Sequence, residues 1–168
     1  MAEFKFTEYM LEIAEALKEI LHTAGDKHFS RISSLPALEE YLQNMTFNSG
    51  WQILVVDNRT GRYDDSSKSD NLLDRQLYSF YLVKSIKLND FDAREQLIRD
   101  AEIVLKKILS KYFYDKRSCL NGLRDLQRNS ITYDTIGPIG NECHGLMVHF
   151  SIIEPPGIIY NEDDWSWP

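Results

Sequence analysis

The chain is short of the features that define most specialised protein classes. It has two cysteines in 168 residues, Cys119 and Cys143, too few for a disulfide framework. No apolar run approaches the ~20 residues that a membrane-crossing helix needs. The opening stretch, MAEFKFTEYMLEIAEALKEI, carries acids throughout its apolar pattern and has no small-residue cleavage site, so a signal peptide is not expected. Together these absences lead to the expectation of synthesis in a reducing, intracellular setting. Base is scarce relative to acid: 19 Lys and Arg stand against 26 Asp and Glu, a net charge of −7. That balance argues against a nucleic-acid binder working by phosphate neutralisation. There is no glycine-rich phosphate cradle, no Gly-x-Ser-x-Gly elbow and no His-Glu-x-x-His helix. The run Tyr63-Asp-Asp-Ser-Ser-Lys-Ser-Asp70 has the composition of a calcium loop but lacks the central glycine and closing glutamate of an EF-hand. No catalytic residue, cofactor or metal is therefore expected.

What is present is an ordinary globular composition, 43% hydrophobic and 27% charged. The length suits one domain, expected over residues 1–153, with an extended acidic tail over 154–168. Residues 7–23 read as an amphipathic helix capped by Thr7, with Met10, Ile13, Leu17, Ile20 and Leu21 on one face and Gly25 breaking the pattern. A short helix is expected from Leu35 to Met45, with Pro36 in its first turn. Trp51–Asp57 is apolar on both parities, as in a strand covered on both faces. Asn58–Gly61 has turn chemistry, and Arg62–Asp74 reads as a long loop that is mobile or ordered by a partner. Leu77–Leu88 alternates, with Tyr78, Phe80, Leu82, Ile86 and Leu88 on one face and Ser79, Ser85 and Lys87 on the other. Asp92 to Tyr114 carries an unbroken helical apolar stripe, opened by an Asp92/Glu95 box. After a polar linker, Ser130–Ile136 and Glu142–Ile153 read as strands joined by the turn Gly137–Asn141. The expected class is α+β: a mainly antiparallel sheet of two hairpin-like strand pairs, covered by the long helix.

The stretch Gly140-Asn-Glu-Cys-His-Gly-Leu-Met-Val-His149 concentrates a carboxylate, a thiol and two imidazoles. Strand alternation divides them. Glu142, His144, Leu146, Val148 and Phe150 share one face; Cys143, Gly145, Met147, His149 and Ser151 share the other. Cys143 and His149 are roughly 20 Å apart along a strand, and only Glu142 and His144 come within about 7 Å. Two mixed ligands do not make a zinc site, which needs at least three protein donors. The expectation is sheet architecture, with Cys143 a buried filler and the histidines near a sheet edge or interface. His22 and His28 flank a turn and show no obvious partner.

Charge is unevenly placed. Residues 154–168 hold four acids and no base, whereas residues 94–128 hold nine bases against five acids. The tail also carries Tyr160, Trp165 and Trp167, aromatic types that anchor interfaces. Two readings stand: the tail folds back on its own domain, or it docks on a neighbouring subunit or another protein. The candidate partner-binding residues are Tyr160, Asp163, Asp164, Trp165 and Trp167 of the tail, Lys106, Lys107 and Lys111 of the long helix, and Asp64 and Asp65 of the polar loop.

The hairpin Ile131-Thr-Tyr-Asp-Thr-Ile-Gly-Pro-Ile-Gly140, followed by Gly145-Leu-Met-Val-His-Phe-Ser-Ile152, resembles the closing hairpin of the tail-terminator and neck-ring proteins of tailed bacteriophages, including head–tail joining and tail-completion proteins. The order of elements from Thr7 to Ile153 is similar to theirs as well. The resemblance implies a structural virion protein assembled in the host cytoplasm, a ring subunit of six- or twelve-fold symmetry joining head to tail or capping the tail tube. Its partners would be itself and neighbouring neck, connector or tail proteins, with DNA only as cargo passing through a channel and no membrane. The acidic tail has no counterpart in that family. Two other expectations are a small intracellular adaptor binding a peptide or protein without catalysis, and an enzyme built on Glu142, His144 and a distant residue.

Overall fold

The computed structural model describes residues 4–44, 50–57, 60–64, 73–86, 91–139 and 143–154. The elements are α1 (Phe6–Ala16), β1 (Phe29–Ile32), α2 (Leu35–Asn44), β2 (Gln52–Val56), β3 (Thr60–Asp64), β4 (Leu73–Ser85), α3 (Phe91–Arg117), a short 3-10 turn (Leu123–Asp125), β5 (Leu126–Ile139) and β6 (Cys143–Glu154). The fold is α+β, with three helices and a mixed six-stranded sheet among the described residues. The sheet order is β1-β2-β4-β6-β5, with β3 also on β4. Among the described strands, only β1 and β2 run parallel. β4 is the spine. One of its edges holds β2 at Phe80–Val83 and β3 at Leu73–Leu77, and the other pairs with β6 from Asp74 to Ser85.

Alternation along β4 and β6 sends side chains into two cores. Phe80 and Leu82 of β4 join Leu146, Val148, Phe150 and Ile152 of β6 beneath α1 and α3. Tyr81, Val83 and Cys143 face the other way and pack with Leu54 under Leu38 and Leu42 of α2. α3 is amphipathic at helical spacing: Leu97, Ala101, Val104, Leu105, Ile108 and Tyr112 are buried, and Lys116 and Arg117 end it, where cations favour the dipole. β2 lies between both layers, so Ile53 and Val55 serve one core and Leu54 the other. Phe4 and Phe6 anchor the N-terminal segment in an aromatic cluster. Phe4 meets Tyr78 edge-on at 5.2 Å, and Phe150 meets Tyr112 edge-on at 5.2 Å.

Several sequence expectations are corrected. α1 ends at Ala16, seven residues before Thr23, because Leu17 turns to an extended conformation (ψ 119°) and the chain folds into a turn. That turn buries Ile20 but leaves Leu21 53% exposed, so the two do not share a face. Thr7 lies inside the helix, whose cap position is Lys5 with no side-chain cap bond. Asp92 likewise lies in the first turn of α3 rather than ahead of it. β1 was not expected. Part of the expected loop Arg62–Asp74 is strand: Arg62, Tyr63 and Asp64 pair with Arg75, Asp74 and Leu73. Of the expected turn Gly137–Asn141, Gly137, Pro138 and Ile139 belong to β5, with a cis bond at Gly137–Pro138, and Gly140 and Asn141 lie outside the described residues. The polar linker is ordered. Lys116 Nζ donates to the carbonyls of Arg124 (2.6 Å) and Leu126 (2.8 Å), and Leu123 and Leu126 are buried.

Gly145 permits the close approach at the centre of the sheet. A Cβ there would stand 2.0 Å from the Leu82 carbonyl oxygen, which is backbone and cannot yield cheaply. Gly25, by contrast, has open space around it. Urea denaturation of Gly145→Ala is expected to show a loss of about 2–3 kcal/mol by overpacking. Gly25→Ala should be neutral or stabilising by under ~1 kcal/mol.

Candidate functional site

The reactive groups of the closing strand are separated as the alternation requires. His144 faces the α3 side with Leu146 and Val148, and Cys143 faces the α2 side. Neither histidine is at a sheet edge, because β6 lies between β4 and β5. That corrects the sheet-edge alternative, and its reason is the full-length pairing of β4 with β6. His149 is half-buried, and its Nδ1 is 2.7 Å from the Ser79 hydroxyl on the facing strand. His144 is buried, and its Nδ1 has no hydrogen-bond partner among the described residues. Burial, and then the charge of Arg94 on α3, hold its pKa below the usual histidine value. Glu142 lies outside the described residues. Among the described residues, no three His, Cys, Asp or Glu side chains are placed to hold a metal ion.

His22 and His28 do have partners, contrary to the sequence reading. The amide of Gln52 donates to His28 Nδ1 (2.8 Å), which leaves the proton on Nε2 facing Asp26 Oδ2 at 3.1 Å. The His28 backbone N–H donates to His22 Nδ1 (2.9 Å). Both ring nitrogens of His28 are thus engaged, and the group fastens the segment before β1 to the start of β2.

Lys107 and Lys111 of α3 flank a cleft of about 300 Å3 between α1 and α3, lined also by Glu12, Ile13, Leu17 and Ile108. Lys107 pairs with Glu19, whose carboxyl is held below its usual range chiefly by that hydrogen bond. Lys111 Nζ lies 2.7 Å from both oxygens of Asp115, one turn further along α3. Asp115 is fully buried, and it also accepts from the Tyr9 hydroxyl at 2.7 Å. Burial first, and the Asp115 hydrogen bond second, push the Tyr9 pKa far above its ordinary value. The network ties α1 to the C-terminal turns of α3. Lys106 is exposed. Asp64 ends β3, and Asp65, Tyr160, Asp163, Asp164, Trp165 and Trp167 lie outside the described residues.

Asp115 and Tyr9 were missed by sequence reasoning. In sequence Asp115 resembles any surface acid four residues after a lysine. Its burial comes from Tyr9, 106 positions away. With this geometry in place, comparison with known proteins finds no matching family model, curated protein or solved structure.

Asp115→Ala is expected to lower stability by about 3 kcal/mol, because it strands the buried Tyr9 hydroxyl and removes the partner of Lys111. Tyr9→Phe, which leaves the ion pair in place but removes a hydrogen bond to a buried charge, should cost about 2 kcal/mol; chemical denaturation checks both. His144 sets a pH dependence of a definite sign. Its folded pKa is depressed, so its contribution is intact above the unfolded value of 6.5 and is lost as pH falls from there toward the folded value. His144→Leu should flatten the fall in unfolding midpoint across that window.

Proposed function

We propose that this chain is a structural assembly subunit without catalytic activity, and that its setting is the neck or tail terminus of a tailed bacteriophage. There it would form a ring that joins head to tail or caps the tail tube, with DNA passing as cargo. The observation that carries the reading is β5, fourteen residues long and the last strand of the sheet, pairing only with β6 among the described residues. A long unpaired edge is a liability in a monomer and an interface in an assembly. The order of helix, strand pair, long helix and closing hairpin supports the phage setting through the resemblance described above. The tail aromatics Tyr160, Trp165 and Trp167 would add a contact to an adjacent subunit or neck partner.

A second reading, a small adaptor acting as a monomer, draws on the cleft between α1 and α3, whose size suits an apolar side chain of a partner. Native mass separates the two. Light scattering of the full chain with its candidate neck partners is expected to give six or twelve copies of the 19.6 kDa chain once the partners' mass is subtracted. A species of single-copy mass under all conditions would sink the ring. Removal of residues 155–168 is expected to reduce the assembled fraction at least several-fold, and unchanged assembly would refute the tail contact.

A further inference from the structure

We propose that the acids Glu162, Asp163 and Asp164 dock on their own chain, along a cationic face formed by Lys106, Arg117, Arg124 and Arg128. The docking goes beyond the assembly reading and does not depend on a ring. The face is an exception in a chain of net charge −7, for residues 116–133 hold four bases and one acid, Asp125. Spacing and packing bring its four cations to one side. Lys106, Ser110, Phe113 and Arg117 follow one another by four, three and four positions, so they line one flank of α3. The guanidinium of Arg128 lies over the Phe113 ring at 5.5 Å, which sets it beside that row. Lys116 holds the Arg124 carbonyl at 2.6 Å, which ties that residue to the last turn of α3. All four cations are exposed, and none has a carboxylate partner among the described residues. Other bases of the helix differ: Arg99, Lys107 and Lys111 pair with Glu95, Glu19 and Asp115.

The tail is the complementary segment, with four acids and no base over residues 154–168. Its point of departure and its length also fit. Ile152 pairs with Leu126, so β6 runs out at Glu154 beside the turn that carries Arg124. The chain from Glu154 to Asp163 can span about 30 Å, and the row from Arg117 to Lys106 is about 17 Å long. Every cation of the face lies within that reach. Tethering decides between the chain's own tail and that of another copy. A short linker gives an effective concentration of about millimolar, so at micromolar protein a second copy's tail competes poorly. Exposed ion pairs are individually weak and screened by salt, so docking weakens as ionic strength rises. Held there by its acids, the tail carries Trp165 and Trp167 to the α3 side of the molecule, where a neighbouring subunit would meet them.

The test uses the full chain in a Cys119→Ser background, Cys143 being buried. Ser110→Cys puts a thiol in the cationic row, and Ser33→Cys puts one beside α2 on the opposite face of the sheet. Each is combined with Ser166→Cys. Mild oxidation is expected to close the 110–166 disulfide within one chain roughly ten-fold faster than the 33–166 disulfide. High salt, or Arg117→Glu with Arg124→Glu, should bring the two rates together. Adding Asp163→Arg and Asp164→Arg to the reversed face should restore the difference, which damage to the fold would not allow. Equal rates in the chain with native charges overturn the proposal, as does a difference that survives both salt and charge reversal. So does a disulfide that forms between copies instead of within one. A single-copy species with the fast 110–166 link sinks the ring and leaves this docking; a ring with equal rates does the reverse.

Discussion

The fold depends on the antiparallel ladder between β4 and β6, which runs unbroken from Asp74↔Glu154 to Ser85↔Cys143. A ladder of that length has a single allowed register, because a slip by one residue would exchange the contents of two hydrophobic cores. Phe80, Leu82, Val148 and Phe150 would leave α1 and α3, and Tyr81, Val83 and Cys143 would leave α2. Gly145 lies in this ladder opposite Val83, where the strand comes too close to Leu82 for any Cβ. The same alternation explains why two histidines and a cysteine that crowd together in the sequence never meet in space.

The helical layer is held by a different kind of force. Apolar burial brings α1 onto α3, but it does not fix how far one slides along the other. The buried carboxylate of Asp115 does, since it needs Tyr9 from α1 and Lys111 from its own helix to be satisfied. Such a group adds little net stability compared with an apolar substitute, yet removing one partner is costly. Its effect here is to fix a register, as Gly145 does in the sheet.

The parts legible in the sequence were those with a long period and a large buried face. The stripe from Leu97 to Tyr112 marks α3, and the alternation from Tyr78 to Ile86 marks the second half of β4. β1 left no such mark: Phe29–Ile32 is four residues long, with Phe29 and Ile32 serving different cores. β3 was illegible for the opposite reason. Gly61, Arg62 and Tyr63 are all exposed, so no burial pattern distinguishes them from a loop, and only pairing with β4 makes them a strand. The end of α1 was misread because Leu17, Ile20 and Leu21 continue a helical spacing. Burial of Ile20 through a turn outweighs the local preference for another turn of helix. The site was less legible than the fold. Lysines 106, 107 and 111 were visible as a basic run, but not the acids that reach two of them.

Those acids change where assembly energy can come from. Lys107 and Lys111 already have carboxylates, one of them fully buried. An acidic segment arriving at the cleft would exchange one carboxylate for another, a substitution with small net gain at a half-exposed lysine. For Lys111 it would also leave Asp115 buried beside a weakened partner, which is unfavourable. Charge alone therefore gives the tail little reason to bind there, and its aromatics would have to supply the contact. Among the described residues, β5 pairs only with β6, which takes one side of its backbone.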